Sequence, residues 1–225
     1  MNFKNYKELN KEYSLLYNNG CTAQIYKSKY DNEILKMFRS KLSQFDEDRF
    51  KCLSKINTDY FSFPLDNVYI NNSLVGYTMY FKEGISFKNM NYDILIKDLF
   101  GAIEKLEYDF SLLSDYKIRI LDLHEDNILY DRYKKNINII DTDEYGCFYE
   151  NKKDLLKKNI KSLAYIISSY LSLDISIYDD FNSFKSLLQY LNMRISILEE
   201  TYKVSLEKVE DIKKLKLKKI SKAYN

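Results

Sequence analysis

Acidic and amide side chains are concentrated in a short part of the sequence, residues 121–145. Asp122 and Asn127 lie five residues apart in the segment DLHEDNIL, and Asp141 follows the apolar run NINII. These side chains offer oxygen atoms, which are the ligands that Mg²⁺ and its bound phosphates prefer. The residue types therefore indicate metal-assisted chemistry on a phosphate group, provided that the fold brings them together.

Two short strands are the elements that would bring these side chains together. Residues 127–130 and 137–140 are apolar runs of strand type, and residues 131–138 are polar enough to form the turn between them. If the two strands pair, the amide and the second carboxylate come close to each other beside Asp122. The sequence therefore predicts a pocket of amide and carboxylate oxygens at the end of a strand pair.

The segment DLHEDNIL, followed at a suitable distance by NINIID, resembles the protein-kinase-like phosphotransferase superfamily. It is closer to the DLHPGNIL form of aminoglycoside and choline phosphotransferases and related bacterial kinases, because His124 stands where protein kinases usually have Lys. Ile120-Leu121 also replace the His-Arg of eukaryotic-type protein kinases. The resemblance implies an α+β, bilobal, protein-kinase-like fold. Residues 1–82 would form a small antiparallel-sheet lobe with one helix, and residues 83–225 would form a mostly helical lobe.

The resemblance also implies roles for the residues of the motif. Asp122 would orient the acceptor hydroxyl and take its proton, and His124 would approach the γ-phosphate or serve only as a structural hydrogen-bonding residue. Asn127 and Asp141 would hold Mg²⁺, and Asp143 would add a second metal contact or cap the turn. The implied ligands are ATP and Mg²⁺, and the acceptor would be a hydroxyl group of a small molecule or a protein.

Composition limits the class of protein. The chain has 225 residues, of which 45% are hydrophobic, enough for one substantial core or two small lobes. Its 35 Lys and Arg nearly balance its 33 Asp and Glu, so charge does not favour nucleic acid or an acidic membrane as a partner. We see no signal peptide, no run long enough to span a bilayer, and no metal-type spacing among the three cysteines. We therefore expect a cytoplasmic protein with free thiols.

The N-terminal part of the sequence predicts a small sheet. Residues 13–17, 23–29 and 33–38 have strand character and are joined by short turns, which predicts an antiparallel meander. The turn NNGCTAQIY resembles a kinase glycine-rich loop in which only Gly20 is kept, and an ordinary hairpin turn is the other interpretation. In EILKMF, Lys36 lies between apolar residues. By the resemblance it contacts the nucleotide phosphates; otherwise it is an edge-strand lysine facing water.

A predicted helix over residues 40–57 would supply the acidic partner of Lys36. We expect Glu47 in this role because glutamate reaches further, with Asp46 and Asp48 as alternatives. A solvated acidic helix face is the structural alternative.

The resemblance places a hinge between the lobes at residues 82–84. There the chain would line the adenine pocket, with Met79 at its back and with main-chain hydrogen bonds from Tyr80 to Lys82. A plain core strand is the other interpretation. The remaining predicted elements are strands at residues 67–70 and 73–81 and helices at residues 91–110, 152–173, 181–191, 195–208 and 209–222.

Two other functions stay open at this point. A pseudokinase that acts as a nucleotide-binding or protein-interaction scaffold would explain the reduced glycine loop and the missing His-Arg pair. A nucleic-acid-binding domain would use the 16% aromatic content and the lysine-rich C-terminal segment, but the charge balance argues against it.

Overall fold

The computed structural model describes residues 1–20, 22–39, 46–174 and 180–223. The predicted fold class is confirmed. The chain is α+β, with a sheet-rich N-terminal region followed by a mostly helical C-terminal region. Cys21 and the beginning of the helix predicted over residues 40–57 lie outside the described residues.

Two compact units make up the chain. The first comprises Met1–Lys82 and Ile140–Tyr145, and the second comprises Glu83–Ile139 and Gly146–Asn225. The first unit is therefore not one stretch of sequence, because a short segment from far along the chain completes it.

The first unit is built on a six-stranded sheet. Its elements are β1 (Asn2–Phe3), α1 (Tyr6–Glu12), β2 (Tyr13–Tyr17), β3 (Ala23–Ser28), β4 (Glu33–Phe38), α2 (Glu47–Leu53), β5 (Pro64–Ile70) and β6 (Ser73–Tyr80). The strands follow the order β1-β5-β6-β4-β3-β2. The predicted antiparallel meander of β2, β3 and β4 is confirmed, whereas the two-residue β1 adds to β5 in parallel.

Hydrophobic residues of the sheet pack against α1. Leu9 of this helix is buried in one cluster with Leu35 of β4 and Val68 of β5. The helix begins after Asn5, whose side chain accepts a hydrogen bond from the Glu8 N–H at 3.0 Å. The resemblance implied one helix in this region. The structure has a second, because the capped segment after Asn5 buries Leu9.

α2 ends earlier than predicted. Asp46 caps its N terminus by accepting a hydrogen bond from the Arg49 N–H at 2.9 Å. At the other end, the Ser54 N–H donates a hydrogen bond to the Phe50 carbonyl at 2.8 Å and completes the last turn. The helix therefore stops at Leu53, one turn short of the predicted end.

The second unit contains short strands and longer helices. Its elements are β7 (Ile85–Ser86), α3 (Ile96–Lys105), α4 (Glu107–Asp115), β8 (Ile118–Arg119), β9 (Ile128–Asp131), β10 (Asn136–Ile139), β11 (Gly146–Cys147), α5 (Lys152–Tyr170), α6 (Phe184–Tyr202) and α7 (Val209–Ala223). The predicted strand pair is confirmed, since β9 and β10 are antiparallel with Tyr130 opposite Ile137. β7 also pairs with β9, and β11 pairs with β8. None of the helices in the described residues is long and apolar enough to cross a membrane.

The helix predicted over residues 91–110 is wrong in its bounds. The segment before Ile96 pairs with a distant part of the chain, and the Ile96 N–H donates to the Glu207 carbonyl at 2.9 Å. The helix therefore begins only at that point. At the other end the Leu106 N–H bonds to the Ile103 carbonyl, three residues back, at 3.1 Å. This tighter turn separates α3 from α4.

One helix replaces the two that were predicted over residues 181–191 and 195–208. A capping box between Ser183 and Ser186 starts α6. The sequence then has no glycine or proline until the helix ends before Lys203, which adopts a left-handed backbone. Nothing in the sequence between the two predicted helices breaks the hydrogen-bond ladder.

Cys52 and Cys147 are each disulfide-bonded. The prediction of free thiols is therefore wrong for these two residues. The prediction was drawn from the number of cysteines and the lack of a signal peptide, whereas a disulfide depends on which Cβ atoms the fold brings within about 4 Å of each other.

Gly76 of β6 lies where the main chain of β4 comes closest to β6. A Cβ added there would stand 2.2 Å from the Lys36 carbonyl oxygen and 2.9 Å from the Met37 Cα, which are both main-chain positions. We expect Gly76→Ala to lower the free energy of unfolding by about 1–3 kcal/mol, because the two strands must separate to accept the methyl group. Urea denaturation measures this loss.

Gly101→Ala in α3 is the matched control. A Cβ there meets nothing within 4 Å, so the substitution should raise the free energy of unfolding by about 0.5–1 kcal/mol through helix propensity. Equal effects of the two substitutions would contradict the close approach of β4 and β6.

Candidate functional site

Lys36 lies inside the sheet of the first unit. Its strand β4 runs between β3 and β6, with Lys36 opposite Ile25 on one side and Tyr77 on the other. The Lys36 side chain is only 11% exposed, so it is not a water-facing lysine on an edge strand. An ammonium group at this depth requires negative charge close by.

The carboxylates of Asp141 and Asp143 supply this charge. The Lys36 Nζ donates to Asp141 Oδ1, and to Oδ1 and Oδ2 of Asp143 at 2.9 and 3.1 Å. The two acids follow Lys36 by 105 and 107 residues in the sequence. Their segment, Ile140–Tyr145, is the one that returns to complete the first unit.

Burial and charge act in opposite directions on these three groups. Burial alone would lower the pKa of Lys36, but the Asp143 and Asp141 carboxylates outweigh it and raise that pKa above its usual value. Burial also opposes ionisation of Asp143, yet the charge and hydrogen bonds of Lys36 hold the pKa of this carboxyl below its usual value. For Asp141, burial and the like charge of Asp143 prevail over Lys36 and raise the pKa. For both acids, the charge of Lys36 favours the ionised form against the effect of burial.

Residues 141–145, which we term the acidic turn, are anchored to the first unit. Asp141 has a left-handed backbone, with φ of 59°, which aspartate tolerates better than most residues. The hydroxyl of the fully buried Thr142 donates to the Ser62 carbonyl at 2.7 Å, and Tyr145 packs against two buried phenylalanines. These contacts hold the two carboxylates at a fixed place.

α2 contacts the acidic turn through the side chain of Arg49. The Arg49 guanidinium donates to the main-chain carbonyl of Asp143 at 3.3 Å and to the Glu144 carboxylate at 3.2 Å. Glu47, the expected partner of the buried lysine, forms an exposed ion pair with Lys51 on its own helix. The structure thus gives the lysine and the helix different partners from those expected.

Tyr77 lies beside the ion pair in the sheet. The buried ring packs between Phe38 and Phe50, with ring centroids 5.7 and 5.9 Å away. Burial and the neighbouring Asp143 carboxylate raise the pKa of Tyr77 well above its usual value. The Tyr77 hydroxyl lies close to the Asp143 carboxylate, which raises the pKa of Tyr77 through its charge and a side-chain hydrogen bond, although that contact falls outside standard hydrogen-bond geometry.

The residues predicted to line the adenine pocket lie in and just after the end of β6. Met79 is buried, the Tyr80 carbonyl accepts a hydrogen bond from the Ser62 hydroxyl at 2.6 Å, and the Lys82 ammonium donates to the Asp59 carbonyl at 2.6 Å. These groups make contacts within the first unit, and their part in nucleotide binding stays a prediction.

Gly20 lies in a turn that has no room for a side chain. A Cβ there would stand 2.7 Å from the Ala23 carbonyl oxygen. Asn18, earlier in the turn, accepts a hydrogen bond from the Gln24 amide at 2.6 Å and others from the Arg39 guanidinium. The turn is closely packed around its glycine, and its use as a phosphate-binding loop stays a prediction.

The predicted catalytic loop, residues 122–127, closes on itself within the second unit. The Asn127 side chain is buried and donates to the Asp122 carbonyl at 3.2 Å. Asp122 has a left-handed backbone, with φ of 51°, and its carboxylate is 61% exposed. His124 Nδ1 accepts a hydrogen bond from the Asp126 N–H at 3.3 Å, and its Nε2 lies 3.9 Å from the Asp122 carboxylate. The loop therefore presents a carboxylate beside an imidazole.

Asn159 of α5 positions the chain just before this loop. Its side chain is fully buried and bridges two main-chain groups. The amide oxygen accepts a hydrogen bond from the Ile120 N–H at 2.8 Å, and the amide nitrogen donates to the Ile118 carbonyl at 3.0 Å. Asn159 thereby fixes the main chain that leads into Asp122.

The predicted metal ligands are Asn127 in the second unit and Asp141 and Asp143 in the first. In the part of the chain that the structure describes, no three or more His, Cys, Asp or Glu side chains form a cluster that could hold a metal ion. Mg²⁺ usually takes only one or two protein carboxylates and completes its shell with phosphate oxygens and water. The acidic turn fits that donor set, and Mg²⁺ binding stays a prediction.

Three residues that contact the predicted site were not identified from the sequence: Arg49, Tyr77 and Asn159. Arg49 and Tyr77 act on residues far along the chain, and no local pattern indicates such contacts. Asn159 did leave a signal, since it is a polar residue within the apolar stripe of a predicted helix. A buried amide in that position must bind main-chain groups or other polar groups.

No protein-family model and no curated protein matches the sequence. Among solved structures, the chain is similar to the Cydia pomonella granulovirus kinase PK-1, with 22% sequence identity and a TM-score of 0.49. The similarity covers 65% of this chain, and the chain spans about 60% of the length of that structure. The functional conclusion therefore depends on the residues of this chain.

We expect Asn159→Ala to lower the free energy of unfolding by about 2–4 kcal/mol, because two buried main-chain groups lose their partner. Urea denaturation measures the loss. Asn89→Ala, at an exposed position in the same unit, is the control and should change the free energy of unfolding by less than about 0.5 kcal/mol. Similar effects at the two positions would show that the loop does not depend on the buried amide.

Tyr77→Phe keeps the ring packing and removes a buried hydroxyl whose contact with Asp143 falls outside standard hydrogen-bond geometry. We expect the free energy of unfolding to stay unchanged or to rise by up to about 1 kcal/mol. Tyr26→Phe is the comparison, because the Tyr26 hydroxyl donates to Gln24 at 3.3 Å, and its loss should cost about 0.5–1 kcal/mol. A loss at Tyr77 as large as at Tyr26 would mean that the Tyr77 hydroxyl is hydrogen-bonded to Asp143.

Proposed function

We propose that this protein is an ATP- and Mg²⁺-dependent phosphotransferase that transfers the γ-phosphoryl group to a hydroxyl group of a small molecule or a protein. The observation that carries the proposal is the contact between Lys36 and Asp141, which joins two parts of the sequence 105 residues apart. Phosphoryl transfer requires a cation for the phosphates and an anion for the metal on the nucleotide side of the site. Lys36 and Asp141 are these two charges.

Lys36 would bind the α- and β-phosphate oxygens of the nucleotide. Because Lys36 is buried, fewer water dipoles screen its ammonium group. Its attraction for phosphate oxygens is therefore stronger than that of an exposed lysine. Asp141 would hold Mg²⁺, whose charge would neutralise the phosphoryl group as it is transferred. The acidic turn would keep its carboxylate in place through the buried Thr142.

Asp122 would act on the acceptor. The acceptor oxygen forms its bond to the γ-phosphorus as the bond from that phosphorus to the leaving ADP oxygen breaks, and the hydroxyl proton passes to the Asp122 carboxylate. The exposure of this carboxylate leaves room for an acceptor to approach it. His124, whose Nε2 lies 3.9 Å from the same carboxylate, would approach the γ-phosphate.

A pseudokinase is the second candidate. The observation that favours it is the turn at Gly20, which keeps a single glycine. Such a turn offers its main-chain N–H groups to phosphate oxygens less freely than a glycine-rich loop does. A scaffold protein could keep this fold and transfer no phosphate.

Thermal denaturation with ATP and Mg²⁺, followed by a transfer assay with labelled ATP and a panel of hydroxyl acceptors, tests the proposal. At an ATP concentration about 100 times Kd, we expect the Tm of the wild-type protein to rise by roughly 5–10 °C. Asp122→Asn should keep this shift and lose transfer by about 10²-fold or more. Lys36→Met should lose both.

Lys7→Met, which removes an exposed lysine on α1, is the control and should behave as the wild type. A Tm shift in the wild type without transfer to any acceptor would favour the pseudokinase. The absence of both would exclude the phosphotransferase.

A further inference from the structure

The two carboxylates that contact Lys36 are not equivalent. Asp143 accepts hydrogen bonds with both oxygens, at 2.9 and 3.1 Å, and its side chain is 25% exposed. Asp141 contacts the ammonium with one oxygen, and its side chain is 44% exposed. Asp143 is therefore the more enclosed partner of the lysine, and Asp141 is the carboxylate more accessible to a ligand.

α2 gives Lys36 no carboxylate among the described residues. Glu47 is 68% exposed and pairs with a lysine of its own helix at 3.1 Å. Asp46 is the N-cap and accepts the Arg49 N–H, and Asp48 is exposed in the first helical turn. All three acids that the sequence offered as partners of the lysine thus lie outside the ion pair.

The contact between α2 and the ion pair is made by Arg49 instead. Its guanidinium donates to the main-chain carbonyl of Asp143 and to the Glu144 carboxylate, and its Nε lies 3.5 Å from the Asp46 carboxylate. A continuous series of contacts therefore runs from α2 through Arg49 to the main chain of Asp143, and from the Asp143 side chain to Lys36.

We propose that Asp143 is the positioning residue for Lys36 and that Arg49 holds Asp143 in place. α2 then acts on Lys36 through the Arg49 guanidinium and the acidic turn. No carboxylate on α2 is needed to pair with the lysine. The inference rests on the proposed function, in which Lys36 binds the nucleotide phosphates. It gives Asp143 a different role from the metal contact expected from the sequence, and it leaves Asp141 as the accessible acid of the pair.

A double-mutant cycle on the full-length protein without nucleotide tests the first part. The cycle combines Lys36→Met with Asp143→Asn, and a parallel cycle combines Lys36→Met with Glu47→Gln. We expect the unfolding equilibrium constant to show coupling of about tenfold between Lys36 and Asp143 and less than about twofold between Lys36 and Glu47. If one single variant does not fold and the double variant does, that recovery is itself the coupling. Coupling to Glu47 that equals or exceeds coupling to Asp143 overturns the proposal.

Repeating the Lys36–Asp143 cycle in two further backgrounds tests the role of Arg49. Arg49→Met should reduce the coupling to less than about threefold, because the acidic turn loses its tie to α2. Lys51→Met removes a cation from the same helix and should leave the coupling at about tenfold. Full coupling in the Arg49→Met background overturns the part assigned to Arg49.

The Mg²⁺ concentration that gives half of the ATP-dependent rise in Tm separates positioning from metal binding. We expect Asp141→Asn to raise this concentration about tenfold or more and Asp143→Asn to change it by less than about threefold. A tenfold rise in Asp143→Asn would make this residue a metal ligand and overturn the proposal. If the wild type shows no ATP-dependent rise, the proposed function fails. The two cycles, which need no nucleotide, still decide whether Asp143 holds Lys36.

Discussion

The buried ammonium of Lys36 is the constraint on which the first unit depends. Leu35 and Met37 on either side of it are buried as well, so a shift of the strand by one residue would not bring the charge to water without exposing other core residues. Leaving such a charge unpaired would cost about 3–5 kcal/mol. The acidic turn removes this cost, and it therefore belongs to the sheet rather than to the strand pair from which it emerges.

The parts of the fold that the sequence predicted well are those governed by local patterns. β2 and β4 were predicted with their observed bounds, because turn residues flank each of these short apolar segments. The β9–β10 pair followed from two apolar runs around a polar turn. Lys36 was identified because a lysine between apolar residues in a strand requires a partner.

The identity of that partner could not be predicted from local pattern. Glu47 has the longer side chain and lies nearer in sequence, but it is on an exposed face of α2, where water competes with any ion pair. Asp143 is shorter, yet the anchored Thr142 presents it to the lysine at a depth where a charged contact is strong. Burial and anchoring decide between the two, and both are properties of the assembled sheet.

Element bounds failed for a similar reason. α3 starts at Ile96 because the residues before it pair with the chain near Glu207, and no window of sequence around residue 96 contains that information. α6 is the opposite case. Its continuity follows from the absence of any helix-breaking residue between Phe184 and Tyr202, and the predicted division into two helices had no such residue to support it.

The return of the chain at Ile140–Tyr145 limits how the protein can be dissected. A gene fragment that stops at residue 82 would encode every strand of the sheet and none of the acids that neutralise Lys36. In such a fragment the Lys36 ammonium would be an unpaired charge in a central strand. Either the lysine would lose its proton or the fragment would unfold. Any piece of the chain that keeps the Lys36 ion pair must therefore extend at least to Asp143, and a foreign sheet that replaced this one would need its own cation for the acidic turn.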